Sequence, residues 1–252
     1  MIRFAPTVRS AVILATIAFG SNAMAGETTV AVAANFTAAA QEIGTAFQNA
    51  TDHSVTFTFG STGQLYTQIT QAAPFDVFLA ADQVRPELAE TDGFAVPGSR
   101  FTYAEGQLVL WSADPAAIDG TAKVLESPAL THVAIANPAT APYGAAAVEV
   151  LQALNLYDAL LPKLVEGKSI SQTHQFVATG NAQVGFVALS QVIKDDSGSD
   201  WLVPAAMYKP IRQDAVLLKM AEGNEAAAAF IDFLQGPEAR AIIESYGYRV
   251  GE

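Results

Sequence analysis

Apolar and polar positions along the chain switch repeatedly between two periods. Residues 29–33 (Thr-Val-Ala-Val-Ala) form a β-branched and apolar run, which predicts a buried strand. From Asn35 the period lengthens: Phe36, Ala40, Ile43 and Phe47 fall on one helical face, with Asn35 at the N-cap. The unit then recurs. Residues 54–59 (Ser-Val-Thr-Phe-Thr-Phe) predict a strand, followed by Gly60-Ser-Thr-Gly63 and a helical run over 64–71. Residues 77–81 predict another strand, with Asp82 capping the helix that follows.

A turn-rich stretch at 95–100 (Ala-Val-Pro-Gly-Ser-Arg) marks a boundary. Beyond it the pattern predicts strands at 107–112, 133–136, 184–189 and 201–203, and helices at 143–154 and 169–180. After Pro210 it predicts a strand at 215–219, a helix at 224–234, a break at Gly236-Pro237 and a short helix to Tyr246. Strands alternating with helices place the chain in the α/β class, with mostly parallel, doubly wound sheets.

Composition narrows the setting. Arg3 and Arg9, the apolar run 11–20 and the small residues Ala23-Met-Ala25 have the form of a secretory signal peptide over 1–25. The apolar run is too short to span a bilayer. Cleavage after Ala25 leaves 227 of the 252 residues, and loss of the two arginines takes the net charge from −12 to about −14. No basic cluster exists to neutralise phosphates, so nucleic acid and anionic lipid are poor partners. There is no cysteine, hence no disulfide, thiol nucleophile or cysteine metal site.

Four predicted helix starts share a property: Asn35, Gly60-Ser-Thr-Gly63, Ala141-Pro-Tyr-Gly144 and Ser169-Ile-Ser-Gln172. None has an acid in its first turn, whereas the starts near Asp158, Glu225 and Glu238 do. Acids are favoured at helix amino ends, where unpaired N–H groups and the dipole leave partial positive charge. Four acid-free ends suggest sites held open for an external anion. None carries Lys or Arg either, so the donors would be neutral. Taken one at a time, each also reads as ordinary capping: Asn35 as a cap, Pro142 in a first turn, and Ser61/Gln64 and Ser169/Gln172 as capping boxes.

The ordered segments 33–36 (Ala-Ala-Asn-Phe), 60–63 (Gly-Ser-Thr-Gly), 73–82 (Ala-Pro-Phe-Asp-Val-Phe-Leu-Ala-Ala-Asp), 98–104 (Gly-Ser-Arg-Phe-Thr-Tyr-Ala), 137–144 (Asn-Pro-Ala-Thr-Ala-Pro-Tyr-Gly) and 185–189 (Gly-Phe-Val-Ala-Leu) resemble the periplasmic molybdate-binding proteins of ABC importers. The resemblance implies a two-lobed periplasmic binding fold, with lobe one at 26–104 plus 210–252 and lobe two at 105–209. It implies a molybdate or tungstate ligand in the cleft, a hinge at the two crossings, a permease partner, a monomer, and no cofactor. It also implies oxyanion contacts from Asn35 and Thr62 in lobe one, and from Tyr143 and the Ile170 backbone N–H in lobe two. Ser61 and Ala34 are further candidates. Molybdenum would be held as its oxyanion through the same residues. One branch of the family has a tyrosine where this chain has Ala188, a role Tyr143 would take here; some relatives have a threonine at the position of Ala34.

Two other readings stand beside this one. A carrier for sulfate or another tetrahedral oxyanion would use the same donors. A secreted hydrolase would need a base and a nucleophile; His53, His132 and His174 lie in no catalytic motif, and Asp76 and Asp82 flank one strand as end-caps.

Overall fold

The computed structural model describes residues 1–2, 25–195 and 197–251; the signal-peptide expectation falls mainly on 3–24, outside them. Two five-stranded sheets organise the chain. The first comprises β1 (Glu27–Ala33), β2 (Ser54–Gly60), β3 (Val77–Leu79), β4 (Phe101–Gly106) and β10 (Ile211–Leu217). The second comprises β5 (Leu108–Ser112), β6 (Val133–Ala136), β7 (Leu164–Gly167), β8 (Val184–Ala188) and β9 (Ser199–Leu202). The helices are α1 (Thr37–Ala50), α2 (Thr62–Thr70), α3 (Val84–Thr91), α4 (Pro142–Ala153), α5 (Tyr157–Leu160), α6 (Ile170–Ala178), α7 (Glu225–Gln235) and α8 (Pro237–Ser245).

The sheets repeat one plan. Their orders are β2-β1-β3-β10-β4 and β7-β6-β8-β5-β9. In each, a single strand runs against the other four: β10 in the first and β5 in the second. These are also the strands by which the chain enters each sheet from the other lobe. The sheets are therefore mixed, yet most strands point one way, and the loops at their carboxyl ends gather on one side.

Burial on both faces explains the continuous apolar runs. Val30 and Val32 of β1 pack under α1, α7 and α8 with Phe36, Phe47 and Phe230, while Ala31 faces Leu65, Ile69 and Phe78 on the α2 side. In the second sheet Leu108, Leu110 and Phe186 face α4, and Val109, Trp111 and Val187 face α6. No described helix is long and apolar enough to cross a membrane.

β4 and β7 lie where the pattern predicts no strand, and two boundaries depart from it for identifiable reasons. The third strand stops at Leu79 because the Ala81 N–H goes to the Thr62 hydroxyl (3.0 Å) instead of a neighbouring strand. The last strand begins at Ile211, four residues before the expected 215, because Arg212, Gln213 and Asp214 interrupt the apolar run while still pairing with β4.

The lobes touch across the cleft. The Gly63 N–H donates to the Thr140 carbonyl (2.9 Å) and Ser171 Oγ to the Ala34 carbonyl (3.2 Å). Ser190 Oγ donates to the Asn35 carbonyl (2.8 Å), and Arg85 Nη2 to the Ala139 carbonyl (3.0 Å). At the rim Lys194 pairs with Glu42 at 3.2 Å and lies 3.6 Å over the Tyr246 ring. This is a closed form.

Candidate functional site

The four acid-free helix starts meet around one cavity. Its walls are Ala33, Ala34 and Asn35 before α1; Gly60, Ser61 and Thr62 before α2; Ala81; Ala141, Pro142 and Tyr143 at the start of α4; and Ile170 at the start of α6. The cavity is small, about 10 Å³, on the scale of a single small guest. α1, α2, α4 and α6 have no acid in the first turn, whereas α3, α5, α7 and α8 each have one. No Asp, Glu, His, Lys or Arg lines the cavity. What it offers is hydroxyl groups, backbone N–H groups and the positive ends of helix dipoles.

Ser61 carries the clearest signal. Its Oγ is buried and has no hydrogen-bond partner. It sits at the N-cap of α2 with extended backbone, yet makes no cap bond, so the capping-box reading of Ser61 and Gln64 fails. Ser169 has the same Ser-x-x-Gln pattern and does cap: its Oγ accepts the Gln172 N–H at 3.3 Å. A buried hydroxyl left unpaired costs about 1–3 kcal/mol. A site that leaves one beside a cavity has room for an acceptor. Thr62 is next to it and 1 % exposed. Its Oγ1 accepts from the Ala81 N–H, so its own proton is free to donate.

Asn35 does not cap α1. It lies in a 3₁₀ turn over Ala34–Phe36, and the cap position of α1 falls on Phe36 with no side-chain bond. Its side chain is drawn into the protein instead: Nδ2 donates to Gln213 Oε1 (2.8 Å) and to the Tyr248 hydroxyl (3.0 Å). Both amide hydrogens are thereby engaged. Its carbonyl accepts from Ser190 Oγ and from Tyr248 (2.8 Å).

Tyr143, 1 % exposed, enters from α4 with its hydroxyl resting on the crossing between the sheets. Gln213 Nε2 donates to its oxygen at 3.2 Å. Burial pushes the Tyr143 phenol well above its ordinary pKa, with Tyr248 and Tyr103 adding to the shift. The phenol loses its proton only as pH rises through that raised value, so it is a donor throughout the neutral range. Ile170 opens α6, where the first N–H groups have no intrahelical partner. Ala34 contributes an apolar wall; its carbonyl accepts from Thr37 Oγ1 (2.8 Å) as well as Ser171.

The remaining candidates lie elsewhere. Asp76 Oδ2 accepts the Thr29 N–H (2.7 Å), and Asp82 holds Arg85 through its N–H (2.9 Å) and its guanidinium. His53 Nδ1 accepts from the Gly26 N–H (3.0 Å), His132 contacts Thr131 (3.1 Å), and His174 stacks on Trp111 at 4.9 Å. None reaches the cavity. Among the described residues no group of three or more His, Cys, Asp or Glu is placed to hold a free metal ion.

Pattern reading passed over Gln213, Tyr103, Tyr248, Ser190 and Gly106. The available signal was the polar trio 212–214 inside an apolar strand, a position where a side chain must have a partner.

Comparison with known proteins places this geometry. Residues 28–249 match the family described as bacterial extracellular solute-binding protein. The chain is 58 % identical over 250 residues to the molybdate-binding protein ModA of Rhodobacter capsulatus, covering 98 % of this chain and 99 % of that one. It is 57 % identical over 229 residues to ModA of Azotobacter vinelandii, covering 90 % and 91 %. The solved Azotobacter vinelandii periplasmic molybdate-binding protein superimposes with a TM-score of 0.86 at 43 % identity, over 89 % of this chain and all of that one. The chain belongs to the bacterial extracellular solute-binding protein family, with that family's two-lobed fold.

Proposed function

We propose that the protein binds molybdate in the cavity between its lobes and delivers it to the membrane permease of an ABC importer. The observation that carries this reading is the buried Ser61 hydroxyl without a partner, at the wall of a cavity of neutral donors where four helix starts meet. That the relatives are molybdate-binding proteins supports molybdate as the anion. Ser61, Thr62 and Tyr143 donate hydroxyl protons. Ala34 and Asn35 at the turn before α1, and Ile170 at the start of α6, supply amino-end N–H groups. Molybdenum is held through its oxygens, as a ligand and not a cofactor. Tungstate, of similar shape and charge, binds as well.

In this reading lobe one is 26–104 plus 210–252, lobe two is 105–209, and the crossings between them are the hinge. The chain works as a monomer in the periplasm after cleavage following Ala25. It binds without turnover: nothing at the cavity wall can serve as a general base, and the relatives are substrate-binding proteins. Calorimetry of residues 26–252 against molybdate, tungstate and sulfate tests the assignment. Tight molybdate and tungstate binding with weaker sulfate binding is expected; sulfate binding as tight as molybdate overturns it.

Ser61→Ala separates a binding role from a structural one. Affinity for molybdate should fall by about 1.5–3 kcal/mol, the range for a hydrogen bond to a charged group. The unfolding temperature of the ligand-free protein should stay level or rise, because the change deletes a polar group with no partner. A lower ligand-free unfolding temperature with unchanged affinity would make Ser61 a structural residue. Thr62→Ala and Tyr143→Phe should weaken binding over the same range, but Thr62→Ala should also destabilise, since it strands the Ala81 N–H.

Salt should have little effect. Short hydrogen bonds in a closed cleft are weakly screened, while added salt screens the repulsion between an acidic protein and a dianion. Titration in sodium chloride from about 20 to about 500 mM should leave affinity level or slightly improved. A tenfold loss, about 1.4 kcal/mol, would reveal a cationic group at the anion.

A further inference from the structure

The Tyr143 hydroxyl can donate to an anion only if its proton points into the cavity; conjugation gives a phenol O–H two in-plane orientations, and the Tyr248 hydroxyl stands near as a rival acceptor. Something must set its direction. The oxygen sits beside Gln213, which is fully buried on β10, and accepts from Gln213 Nε2 at 3.2 Å. The other end of that amide is held by Asn35, whose Nδ2 donates to Gln213 Oε1 at 2.8 Å. The Tyr103 hydroxyl lies 3.1 Å from the same oxygen and shares its one proton between it and the Ala80 carbonyl. With the Asn35 amide donating to its oxygen, Gln213 turns its nitrogen to Tyr143.

The backbone is shaped for this contact. Between Gln213 and Asp214 the β4–β10 register shifts: Gln213 pairs with Ala104 and Asp214 with Thr102, leaving Tyr103 as an unmatched extra residue. Such a bulge re-aims a side chain; here the Tyr103 hydroxyl meets the Gln213 amide and the Ala80 carbonyl (3.0 Å). Gly106, on the same strand, leaves the space in which Tyr143 and Gln213 meet.

Building on the anion-binding reading, we infer that Gln213 is a positioning residue: it occupies the oxygen lone pair of Tyr143 and so directs the phenol proton to the bound anion. Gln213 stands on the strand that returns to lobe one, and Tyr143 on the first helix turn of lobe two. The contact joins the lobes, so the donor is aimed only when they are together.

The test is a double-mutant cycle on residues 26–252, read as molybdate affinity by calorimetry. Gln213→Glu keeps the acceptor for Asn35 and Tyr103 but turns the donor facing Tyr143 into an acceptor. The phenol then donates to residue 213 and leaves the anion. Gln213→Glu should weaken molybdate about a hundredfold in the native background. In the Tyr143→Phe background the same change should cost no more than about threefold. Charge repulsion alone would cost the same in both, so equal losses overturn the inference. Gln213→Met has no charge and serves if the glutamate variant does not fold, as judged by circular dichroism. It should cost about tenfold alone and little beside Tyr143→Phe. If Tyr143→Phe weakens binding and neither Gln213 change couples to it, Gln213 has no positioning role although the site assignment stands. If wild type binds no molybdate, the functional reading itself fails.

Discussion

Inorganic phosphate at neutral pH should bind at least about a thousandfold more weakly than molybdate, a gap of roughly 4 kcal/mol. The reason is the proton on monohydrogen phosphate, which needs an acceptor. The cavity has no carboxylate or imidazole in its wall. Two of its side-chain hydroxyls already accept a bond, Thr62 from the Ala81 N–H and Tyr143 from Gln213, so the open acceptor is the Ser61 oxygen. A phosphate O–H placed elsewhere faces a donor, and one turned to Ser61 competes with that hydroxyl's own bond to the anion; each buried group so stranded costs about 1–3 kcal/mol, more when charged. Sites built on hydrogen bonding discriminate strongly for this reason. Competition calorimetry at about pH 7.5, with molybdate displacing phosphate, measures the ratio. Micromolar phosphate binding would mean that an acceptor turns into the cavity when the anion arrives. Molybdate affinity should also be level from about pH 6 to about pH 9, because the phenol of Tyr143 keeps its proton until pH exceeds a value already above 10.

Gly106→Ala should lower molybdate affinity at least about a hundredfold, or 2.7 kcal/mol and more. A Cβ added there would lie 1.9 Å from the Tyr143 hydroxyl oxygen and 2.6 Å from Gln213 Nε2, with the Tyr143 ring carbon at 2.9 Å. Tyr143 is among the largest fully buried side chains, and Gln213 is held at both ends of its amide. The phenol has to move by an ångström or more, and a hydrogen bond weakens steeply when displaced that far. The same strain falls on the crossing strand, so closure of the lobes suffers too. Calorimetry against molybdate, with circular dichroism to show that the sheets persist, separates this from unfolding. Unchanged affinity in the alanine variant would show that Tyr143 is not at its binding position in this form.

Sequence pattern carries the architecture well because both sheets are buried on two faces, which produces apolar runs such as 30–33 and 133–136. The absence of acids from four particular helix starts was also readable, and those starts share one cavity. What pattern could not separate was Ser61 from Ser169. Both are followed three residues later by Gln, and only the surroundings of the hydroxyl decide that one caps its helix and the other does not. Asn35 misled for a related reason. Asn is favoured at helix caps, but here its amide is taken by Gln213 and Tyr248, 178 and 213 residues away. No local rule reaches so far. Gln213 escaped notice because an amide in a strand has no periodic signature; its meaning lies in a bulge set by the partner strand.

In the proposed site the donors are divided between the lobes, and that bears on how the anion leaves. Ser61 and Thr62 belong to the first sheet's side, Tyr143 and Ile170 to the second's. With no group in the cavity wall that titrates near neutrality, a change of pH cannot loosen the grip. In this reading unloading is a mechanical act: a partner that holds both halves and rotates them apart divides the donor set into two partial sets. By reciprocity, the free energy by which the anion favours the closed form is the work the partner must do to open it. An importer that harnesses nucleotide hydrolysis to motion is suited to such a carrier, and a merely acidic or alkaline compartment is not.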